Sequence, residues 1–362
     1  MSEPGGLQAR LIEFMNTVLT FLTENRRRLQ LQAYGAPSRW SCVWMTPRFK
    51  ASSHLILFIL SENRSQPFLV VKVPRLPGDH RRLDREVENL RRVHTLKPSG
   101  FESIPSVIAY EDYLEHRLLV ETALPFDTMR QSTVRKMPES CLQTGLGWLL
   151  DLHLISRTKT EADRTWFERL IQRPLQNLNA AVPLSAAEKT LLQKTRTITN
   201  TLWNDTLPLV FEHGDFSAPN ILFAAPDQIA VVDWELAEPR GLPAADLFFF
   251  LTYLAFARKT ARKRTHYLAA FHNAFWGANA WAKPHIQKYG HALQISAKQL
   301  KPLFVLCWCR YVAGLAMRLH QQESDPTRMS ATTADWLRHN RYFALWQHAV
   351  EYFEELDFRE AR

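Results

Sequence analysis

The 362-residue chain contains little glycine and little cysteine. Its 12 glycines are about half of what the average usage of ~7% supplies, which argues against a fold with several glycine-rich loops. Four cysteines are too few for a disulfide framework, and no other ligands at metal spacing stand near them. We therefore expect buried free thiols in a reducing compartment and no zinc site.

A long hydrophobic run is also missing. The longest apolar run, residues 247–257, is well short of the ~20 residues that span a bilayer. The N-terminus lacks the basic, apolar and small-residue pattern of an export signal. We therefore expect a soluble, cytoplasmic protein.

Acidic residues are absent from residues 247–322, which hold eleven Lys or Arg, more than the net charge of +9 of the whole chain. Such an excess favours an anionic partner, such as a nucleotide, a phosphorylated metabolite, nucleic acid or a membrane surface. Nucleic acid is the weakest of these interpretations, because no recognised binding motif occurs and a basic surface alone is not evidence of that function. We expect no nucleic-acid partner.

Apolar residues, in contrast, are abundant. They make up 46% of the chain, with 11 Trp and 21 Phe, which excludes a mostly disordered protein. The length predicts two domains. Short apolar runs bounded by turn residues predict strands, and two segments with one apolar face predict helices. The predicted strands are residues 41–45, 55–60, 68–73, 107–110 and 118–121, and the predicted helices are residues 7–24 and 81–94.

After Pro125 the periodicity becomes helical over residues 141–156, 161–177 and 185–203, and again from Pro243 to the end. We therefore predict an α+β protein with two lobes, a small β-rich N-lobe and a larger, mainly helical C-lobe that carries one hairpin. The predicted domains are an N-terminal helical extension (1–34), the N-lobe (35–122) and the C-lobe (123–362).

The most informative segment contains the pattern His-x-Asp-x4-Asn at His213, Asp215 and Asn220, and Asp233 follows 13 residues after Asn220. Phosphoryl transfer requires one carboxylate that orients the attacking hydroxyl and accepts its proton, and an amide oxygen and a second carboxylate that hold Mg²⁺ on the phosphates. The protein-kinase catalytic loop has the same Asp-x4-Asn spacing, followed by a metal-binding Asp. A hairpin between Asn220 and Asp233 would bring both candidate metal ligands to one edge.

A structural interpretation of the same residues is the alternative, because Asp215 and Asn220 could be ordinary loop and cap residues. The flanking strand, the hairpin and the position of Asp233 favour the catalytic interpretation. His213 is more often a structural hydrogen-bonding residue in such a loop, so we assign it no proton-transfer role.

The N-lobe offers a candidate phosphate anchor. Lys72 stands inside an apolar strand, where a charge is costly unless it is paired; the alternative is that it lies at a sheet edge and reaches solvent. Glu86 and Glu88 on the following helix are candidate partners, and the apolar periodicity angles Glu86 inward. A Lys–Glu pair that holds the nucleotide phosphates is the kinase arrangement. The strand that ends at Glu121 predicts the hinge, whose backbone would bind the adenine edge of ATP.

These segments together resemble the aminoglycoside phosphotransferase / choline kinase superfamily, which has a protein-kinase-like fold. The matching stretches run in the family's order over roughly residues 40–255. The His-Gly-Asp and Asp-Trp-Glu blocks are specific when they occur together, whereas each alone is weak. The stretches are residues 69–73, 83–86, 149–153, 213–222, 232–235, 241–243 and 246–247.

The resemblance implies an ATP- and Mg²⁺-dependent kinase that phosphorylates a small-molecule hydroxyl. By matching positions, it implies that Asp215 is the base, that Asn220 and Asp233 are metal ligands, and that Lys72 anchors the phosphates of ATP. Asp246 looks like the family's structural aspartate rather than a catalyst.

Residues 46–54 depart from the kinase pattern. Kinases cover the phosphates with a glycine-rich loop between the first two strands, and this segment contains no glycine. Ser52 and Ser53, with Arg48 and Lys50, are candidates for side-chain contacts to ATP; otherwise the nucleotide is held loosely. The second case leaves an alternative function, a catalytically weak or inactive nucleotide-binding pseudokinase that binds a partner or a membrane surface.

The resemblance places the acid-free residues 247–322 near the acceptor. A polycationic aminoglycoside would be repelled there, so we expect a neutral or anionic acceptor, such as a sugar, a phosphorylated metabolite or a lipid-linked glycan. Residues 247–264 form a Phe-rich segment that ends in basic residues. This pattern predicts either weak membrane-surface contact or, as we favour, a buried core helix with a solvated basic end.

Overall fold

The chain divides into two compact units. The first consists of Met1–Asp127 and Ala230–Leu236, and the second consists of Thr128–Ile229 and Ala237–Arg362. The chain therefore returns to the first unit for one short segment in the middle of the second. The domain boundaries predicted at residues 34 and 122 stay a prediction. The computed structural model describes residues 4–36, 39–45, 54–62, 65–76, 78–160, 164–261, 263–323 and 329–359.

The first unit is a sheet with accompanying helices, as the sequence predicts. Each predicted strand is present and is extended by a few residues at its ends, because the flanking polar residues also take part in the backbone pairing. The elements are α1 (Pro4–Glu24), β1 (Trp40–Met45), β2 (His54–Ser61), β3 (Pro67–Pro74), α2 (Arg81–His94), β4 (Val107–Tyr113) and β5 (His116–Thr122), with a 3-10 turn at Leu31–Tyr34.

The sheet is antiparallel, with the strand order β1-β2-β3-β5-β4. Lys72 lies on the middle strand, β3, where it is paired with Ile56 of β2 and with Leu119 of β5. The sheet-edge alternative for Lys72 is therefore wrong. Because side chains alternate along a strand, Lys72 points to the opposite face from its neighbours Val71 and Val73.

The two faces of the sheet are covered by different helices. On one face, Val18 and Phe21 of α1 pack into a core with Val71. On the other face, Leu83 of α2 packs against Leu119 of β5. Each fully buried aliphatic or Phe side chain in such a core contributes about 1.5–3 kcal/mol. The register that pairs Lys72 with a residue of the α2 face thus directs its ammonium group toward α2.

The second unit is mainly helical, which confirms the predicted architecture. The predicted helix at residues 161–177 begins at residues that lie outside the described ones, and it contains a turn of π-helix at Glu168–Gln172. From residue 127 the elements are β6 (Asp127–Thr128), α3 (Gln131–Lys136), α4 (Pro138–Ser156), β7 (Thr158–Lys159), α5 (Thr165–Phe167), α6 (Arg173–Ala181), α7 (Ala186–Thr199), a 3-10 turn (Asn200–Leu202), β8 (Pro208–Glu212), β9 (Ile221–Ala224), β10 (Gln228–Val231), β11 (Glu238–Gly241), α8 (Ala245–Lys259), α9 (Arg264–Phe275), α10 (Lys283–Leu293), α11 (Ala297–His320), α12 (Ala331–His339) and α13 (Arg341–Glu351).

Strand β8 is the middle strand of a small antiparallel sheet, between β7 and β11. All residues of β8 after Pro208 are buried, and its last residue, Glu212, leads directly into His213. The strands that follow, β9 and β10, flank a turn at residues 225–227, as predicted for the hairpin. β7 and β11 were not expected, because strands of two and four residues carry no periodicity signal.

Helix α8 is a core helix of the second unit. All four of its phenylalanines are buried, as the core-helix interpretation of this segment expects. Contact of its basic C-terminal end with a membrane surface stays a prediction. Among the described residues, α11 is the one helix long and apolar enough to cross a membrane by length and composition, but 72% of that window is buried within the protein.

Helices α4 and α8 approach each other closely at Gly145. A Cβ atom at this position would overlap the ring of Phe250 on α8, whereas a Cβ atom at Gly147, on the exposed face of α4, would have no other atom within 4 Å. Close packing of these two helices matters for the site described below, because α4 carries His153 and α8 carries Asp246.

We expect Gly145→Ala to lower the free energy of unfolding by about 1–3 kcal/mol, because the added methyl group forces the two helices apart. Gly147→Ala, the matched control on the same helix, should instead raise it by about 0.4–1 kcal/mol by restricting the unfolded chain. Denaturant unfolding of both variants measures the difference. Equal effects of the two substitutions would contradict the proposed packing.

Candidate active site

The first unit brings Lys72 together with two carboxylates. Lys72 Nζ lies 2.5 Å from Glu86 Oε1 and 3.1 Å from Glu121 Oε1. The exposed fractions of the three residues are 4%, 0% and 2%, so the group is almost completely removed from water. Glu88, the alternative partner on α2, is exposed and pairs with Arg92 instead. A buried ammonium group held by two acids has a fixed position, as a phosphate anchor requires.

Burial and charge act against each other in this group. Burial lowers the pKa of Lys72, but the carboxylates of Glu121, Glu86 and Asp233 outweigh it and raise that pKa well above its ordinary value. Burial raises the pKa of Glu121 from its ordinary value of 4.5 to about 7, although the ammonium group of Lys72 opposes the shift. Lys72 is therefore charged at neutral pH. Glu121, in contrast, changes its protonation state near neutral pH.

The sequence analysis did not identify the contact between the side chain of Glu121 and Lys72. We predict that its backbone forms the hinge to adenine, and that prediction stays open; the structure shows that its backbone lies in the ladder, opposite Val70 of β3 and Val107 of β4. Its side chain meets Lys72 because Lys72 is paired with Leu119, two residues earlier on β5. Only the register of β3 with β5 reveals this contact, and a sequence pattern does not give register.

Glu86 also holds the segment that carries Asp233. Its Oε1 atom accepts a hydrogen bond from the backbone N–H of Trp234 at 3.2 Å, and Asn89, one turn later on α2, donates to the carbonyl oxygen of Trp234 at 3.0 Å. Asp233 itself has a left-handed backbone with φ of +68°. Two side chains of α2 thus fix the chain directly after Asp233, in the same unit as Lys72.

His54 is a further residue of this region that the sequence analysis did not select. Its Nδ1 atom lies 3.4 Å from Glu235 Oε2, and Glu235 Oε1 lies 3.5 Å from Arg82. Burial, followed by the charge of Lys72, lowers the pKa of His54 to about 4, so the ring is neutral at physiological pH. His54 is the last residue of the glycine-free segment 46–54, and this position is a signal that could have drawn attention to it.

The second unit holds the loop with the predicted catalytic base. The loop begins where β8 ends, and the carboxylate of Asp246 accepts the backbone N–H groups of His213 at 2.6 Å and Gly214 at 2.9 Å. Gly214 has φ of +83°, a conformation that glycine adopts without strain. Asp246 is buried on α8, so a fixed helix determines the path of the loop.

Asn220 fixes the side chain of Asp215. Its Nδ2 atom donates to Asp215 Oδ2 at 3.0 Å and to the carbonyl oxygen of Asp215 at 3.1 Å. His213 Nδ1 accepts the backbone N–H of Asp215 at 3.3 Å, which is the structural role expected for this histidine. The two predicted site residues of this loop are therefore in direct contact, and the carboxylate of Asp215 has a defined orientation.

The buried charge of Asp246 has partners of its own. His153 of α4 lies with Nε2 3.5 Å from Asp246 Oδ2, and its Nδ1 atom is 2.7 Å from the hydroxyl of Tyr289, which accepts the backbone N–H of Ala244. Burial raises the pKa of Asp246, but His153 and the donors around His213 outweigh burial and lower it. Asp246 is therefore an anion that supports the loop, as expected for a structural aspartate.

A second buried pair, which the sequence analysis did not identify, lies at the end of β8. Glu212 is 2.9 Å from Arg310 Nη1 of α11 and accepts the backbone N–H of Leu242 at 3.0 Å. Burial raises the pKa of Glu212 more than Arg310 lowers it. A Glu at the end of an apolar strand needs a buried partner, and that requirement is the signal that could have led to Arg310 in the acid-free stretch.

The predicted site residues thus form two sets. Lys72, Glu86, Glu121 and Asp233 belong to the first unit, and Asp215 and Asn220 belong to the second. The predicted ATP contacts Ser52 and Ser53, with the rest of the glycine-free segment up to residue 53, lie outside the described residues.

Among the described residues, no group of three or more His, Cys, Asp or Glu side chains has the geometry of a metal site. Mg²⁺ is commonly held by one or two carboxylates together with substrate phosphates. One cavity of about 510 Å³ lies elsewhere in the second unit, lined by residues from α10, the start of α11 and the C-terminal residues Phe358 and Arg359, and it contains none of the predicted site residues.

Comparisons with known proteins identify the family and the fold of the chain. A sequence model of the phosphotransferase enzyme family matches residues 52–285. The fold is similar to that of the choline kinase LicA from Streptococcus pneumoniae, with a TM-score of 0.53 and 12% identity over 91% of this chain and 99% of that chain. This likeness confirms the predicted kinase-like fold.

Two further solved structures have lower scores. A mutant of an aminoglycoside 2'-phosphotransferase of type IIIa in complex with GDP gives a TM-score of 0.47 at 10% identity, over 91% of this chain and 96% of that chain. An aminoglycoside-3'-phosphotransferase of type VIII gives 0.46 at 17% identity, over 78% of this chain and 97% of that chain. No curated protein sequence matches the chain.

The raised pKa of Glu121 generates a pH-dependent stability. The folded state binds this proton more tightly than the unfolded state, so the resulting stabilisation is complete below pH 4.5 and is lost as the pH rises through about 7. We expect Glu121→Gln to flatten the dependence of thermal stability on pH between these values. Glu88→Gln on the exposed face of α2 is the control and should leave the wild-type slope unchanged; an unchanged slope in Glu121→Gln would refute the assignment.

Proposed function

Because the chain belongs to the phosphotransferase enzyme family, we propose that it transfers the γ-phosphoryl group of Mg²⁺-ATP to a hydroxyl group of a small molecule. The observation that carries this proposal is the catalytic loop, in which Asp246 fixes the backbone before Asp215 and Asn220 fixes its carboxylate. Such a fixed carboxylate suits a reaction in which positioning and electrostatics supply most of the catalysis.

Asp215 is the proposed general base. Its carboxylate orients the acceptor hydroxyl and takes the proton as the acceptor oxygen forms its bond to the γ-phosphorus and the bond from that phosphorus to the bridging oxygen of ADP breaks. The bonds from Asn220 hold the carboxylate against rotation. His213 is already engaged as an acceptor of the Asp215 N–H, so it supports the loop and takes no proton from substrate.

Asn220 and Asp233 are the proposed ligands of Mg²⁺. Asn220 donates both hydrogen bonds of its Nδ2 atom to Asp215, so the amide oxygen of Asn220 points away from Asp215. An amide oxygen and a carboxylate are hard ligands of the kind that Mg²⁺ prefers, so the donor set fits the ion. When bound, Mg²⁺ neutralises charge on the phosphates of ATP.

Lys72 is the proposed phosphate anchor. Its two carboxylate partners keep the ammonium group charged and prevent it from adopting other rotamers. Because Glu86 also accepts the backbone N–H of Trp234, it connects the anchor to the segment with Asp233. This linkage supports a common role of both in binding Mg²⁺-ATP. Ser52, Ser53 and the backbone at Glu121 remain proposed contacts to the nucleotide.

We expect Asp215→Asn to reduce the rate of phosphoryl transfer by a factor of about 10²–10⁴, because the base is lost while the shape is kept. Asp233→Ala should instead weaken the binding of Mg²⁺-ATP itself. Release of ADP in the presence of a metabolite extract measures turnover, and a thermal-shift titration with Mg²⁺-ATP measures binding.

The glycine-free segment that ends at His54 favours one alternative, an inactive pseudokinase that binds nucleotide or a partner. Saturable binding of Mg²⁺-ATP without turnover on any compound of the extract would support this alternative. Turnover that does not decrease in Asp215→Asn would exclude the proposed base.

The proposed acceptor is neutral or anionic, for example a sugar, a phosphorylated metabolite or a lipid-linked glycan. The support is the absence of acidic residues from residues 247–322. A panel of acceptors with Mg²⁺-ATP should therefore show higher kcat/KM for neutral and anionic hydroxyl compounds than for aminoglycosides. Preferential phosphorylation of an aminoglycoside would overturn this part of the proposal.

A further inference from the structure

Three aromatic rings of the second unit pack together beneath two arginines. The ring centre of Phe249 on α8 lies 4.8 Å from that of Tyr311 on α11 and 5.2 Å from that of Tyr342 on α13. The ring centres of the two tyrosines are 4.3 Å apart. The guanidinium of Arg341 lies 4.8 Å from the ring centre of Tyr342, and that of Arg318 lies 5.8 Å from the ring centre of Tyr311. We call these five residues the tyrosine–arginine cluster.

The two arginines differ from Arg310 and Arg338, which form ion pairs in this unit. Arg310 is paired with Glu212 and Arg338 with Glu188, whereas neither arginine of the cluster has a carboxylate within 4.0 Å among the described residues. Arg341 instead donates to the hydroxyl of Tyr342 at 3.0 Å. Guanidinium groups that rest on rings keep most of their N–H donors available, unlike guanidinium groups in bidentate ion pairs.

The cluster is also pre-organised. Arg318 lies back along α11 toward Tyr311, over Gly314, where a Cβ atom would come within 3.3 Å of the guanidinium. Arg341 is held by Tyr342 and by the rings of Phe256 and Tyr267, each at 5.8 Å. Because the side chains are already restricted by these contacts, binding of a ligand would cost little side-chain entropy.

The cluster lies next to the catalytic loop within the same unit. Phe249 is one turn along α8 from Asp246, whose carboxylate holds the loop. Arg310, which contacts Glu212 at the end of β8, directly precedes Tyr311 on α11. The negative charge of Asp215 also acts on the cluster. Burial is the largest cause of the raised pKa of Tyr311 and the charge of Asp215 is the second largest, and the same charge raises the pKa of Tyr342.

We propose that Arg341 and Arg318 bind an anionic group of the acceptor, a phosphate or a carboxylate, and so present its hydroxyl group to Asp215. The proposal rests on the proposed function and narrows its acceptor from neutral or anionic compounds to anionic ones. A planar guanidinium group can donate two parallel N–H hydrogen bonds to two oxygen atoms of a phosphate or a carboxylate, and the cluster has two such groups. They would also offset the repulsion between an anionic acceptor and the carboxylate of Asp215.

A purely structural role is the competing explanation, in which Arg341 only ties α13 to α8 and α9 through their rings. The two roles predict different results when anion binding is measured directly. The chain offers a matched control in Arg164, whose guanidinium lies 4.8 Å from the ring centre of Trp203 in the same unit. Arg164→Gln removes the same charge and the same kind of ring contact outside the cluster.

The test is equilibrium dialysis of the full chain against radiolabelled inorganic phosphate at constant ionic strength, with acetate as the carboxylate probe and glucose as the neutral probe. We expect saturable binding of phosphate or acetate and none of glucose. Arg341→Gln and Arg318→Gln should each weaken anion binding about tenfold or more, the loss expected for a charge-assisted contact, and Arg164→Gln should not. The preferred anion identifies the source of the charge on the acceptor.

Arg341→Lys guards against a variant that fails to fold, because it keeps the charge and the packing of the side-chain stem. It should bind the anion with an affinity between those of the wild type and Arg341→Gln, since an ammonium group does not form the bidentate pair. The Lys72→Met variant tests whether phosphate binds at the proposed nucleotide site instead of at the tyrosine–arginine cluster. Binding that is lost in Lys72→Met but kept in both arginine variants overturns the proposal, as does an absence of saturable anion binding to the wild type.

The result separates this inference from the proposed function. Anion binding that depends on Arg341, in a chain without turnover on any acceptor, would refute the phosphotransferase proposal and leave the anion site in place. Turnover on neutral acceptors, with anion binding independent of both arginines, would refute the anion site alone. Once an anionic acceptor has been identified, Arg341→Gln should raise the KM for that acceptor more than it lowers kcat. A loss of packing alone would not produce this difference.

Discussion

The candidate site of the second unit depends on one buried carboxylate, that of Asp246. The chain stops pairing as a strand after Glu212, so the N–H groups of His213 and Gly214 need other acceptors, and Asp246 supplies both. Without it, two backbone donors would be left unsatisfied at a cost of about 1–3 kcal/mol each, and the loop with Asp215 would lose its fixed path. The close packing of α4 on α8 matters for the same reason, because it brings His153 to this carboxylate.

The same rule, that a buried charge must be paired, organises the first unit in a different way. Lys72 has two acidic partners for one positive charge, and Asp233 adds a third carboxylate to its electrostatic environment. Burial is the main cause of the raised pKa of Glu121, and the negative charges of Glu86 and Asp233 add to it, while Lys72 opposes it. A site with this excess of carboxylates attracts cations more strongly than anions.

The sequence predicts those features that depend on neighbouring residues and misses those that depend on register or on long-range contact. Strand runs, helical faces and the spacing of Asp215, Asn220 and Asp233 are local patterns, so the fold class and these candidates follow from them. The contact of Glu121 with Lys72 depends on the pairing of β3 with β5. The need of Glu212 for a buried partner can be inferred from its strand, but that partner, Arg310, is 98 residues away along the chain, and no local pattern connects the two. Ser52 and Ser53 remain predictions.

Because residues 230–236 belong to the first unit, that unit is complete only after residues 128–229 of the second unit have been synthesised. About 100 residues of the second unit leave the ribosome between the end of the sheet and the segment that anchors to Glu86. During synthesis the strands of the sheet therefore emerge before the segment with Asp233, and a sheet that forms at that stage lacks the backbone N–H group of Trp234 that Glu86 accepts. A gene divided after residue 127 would encode a sheet with no copy of that segment, and its buried Glu86 would lack a backbone donor that the intact chain supplies.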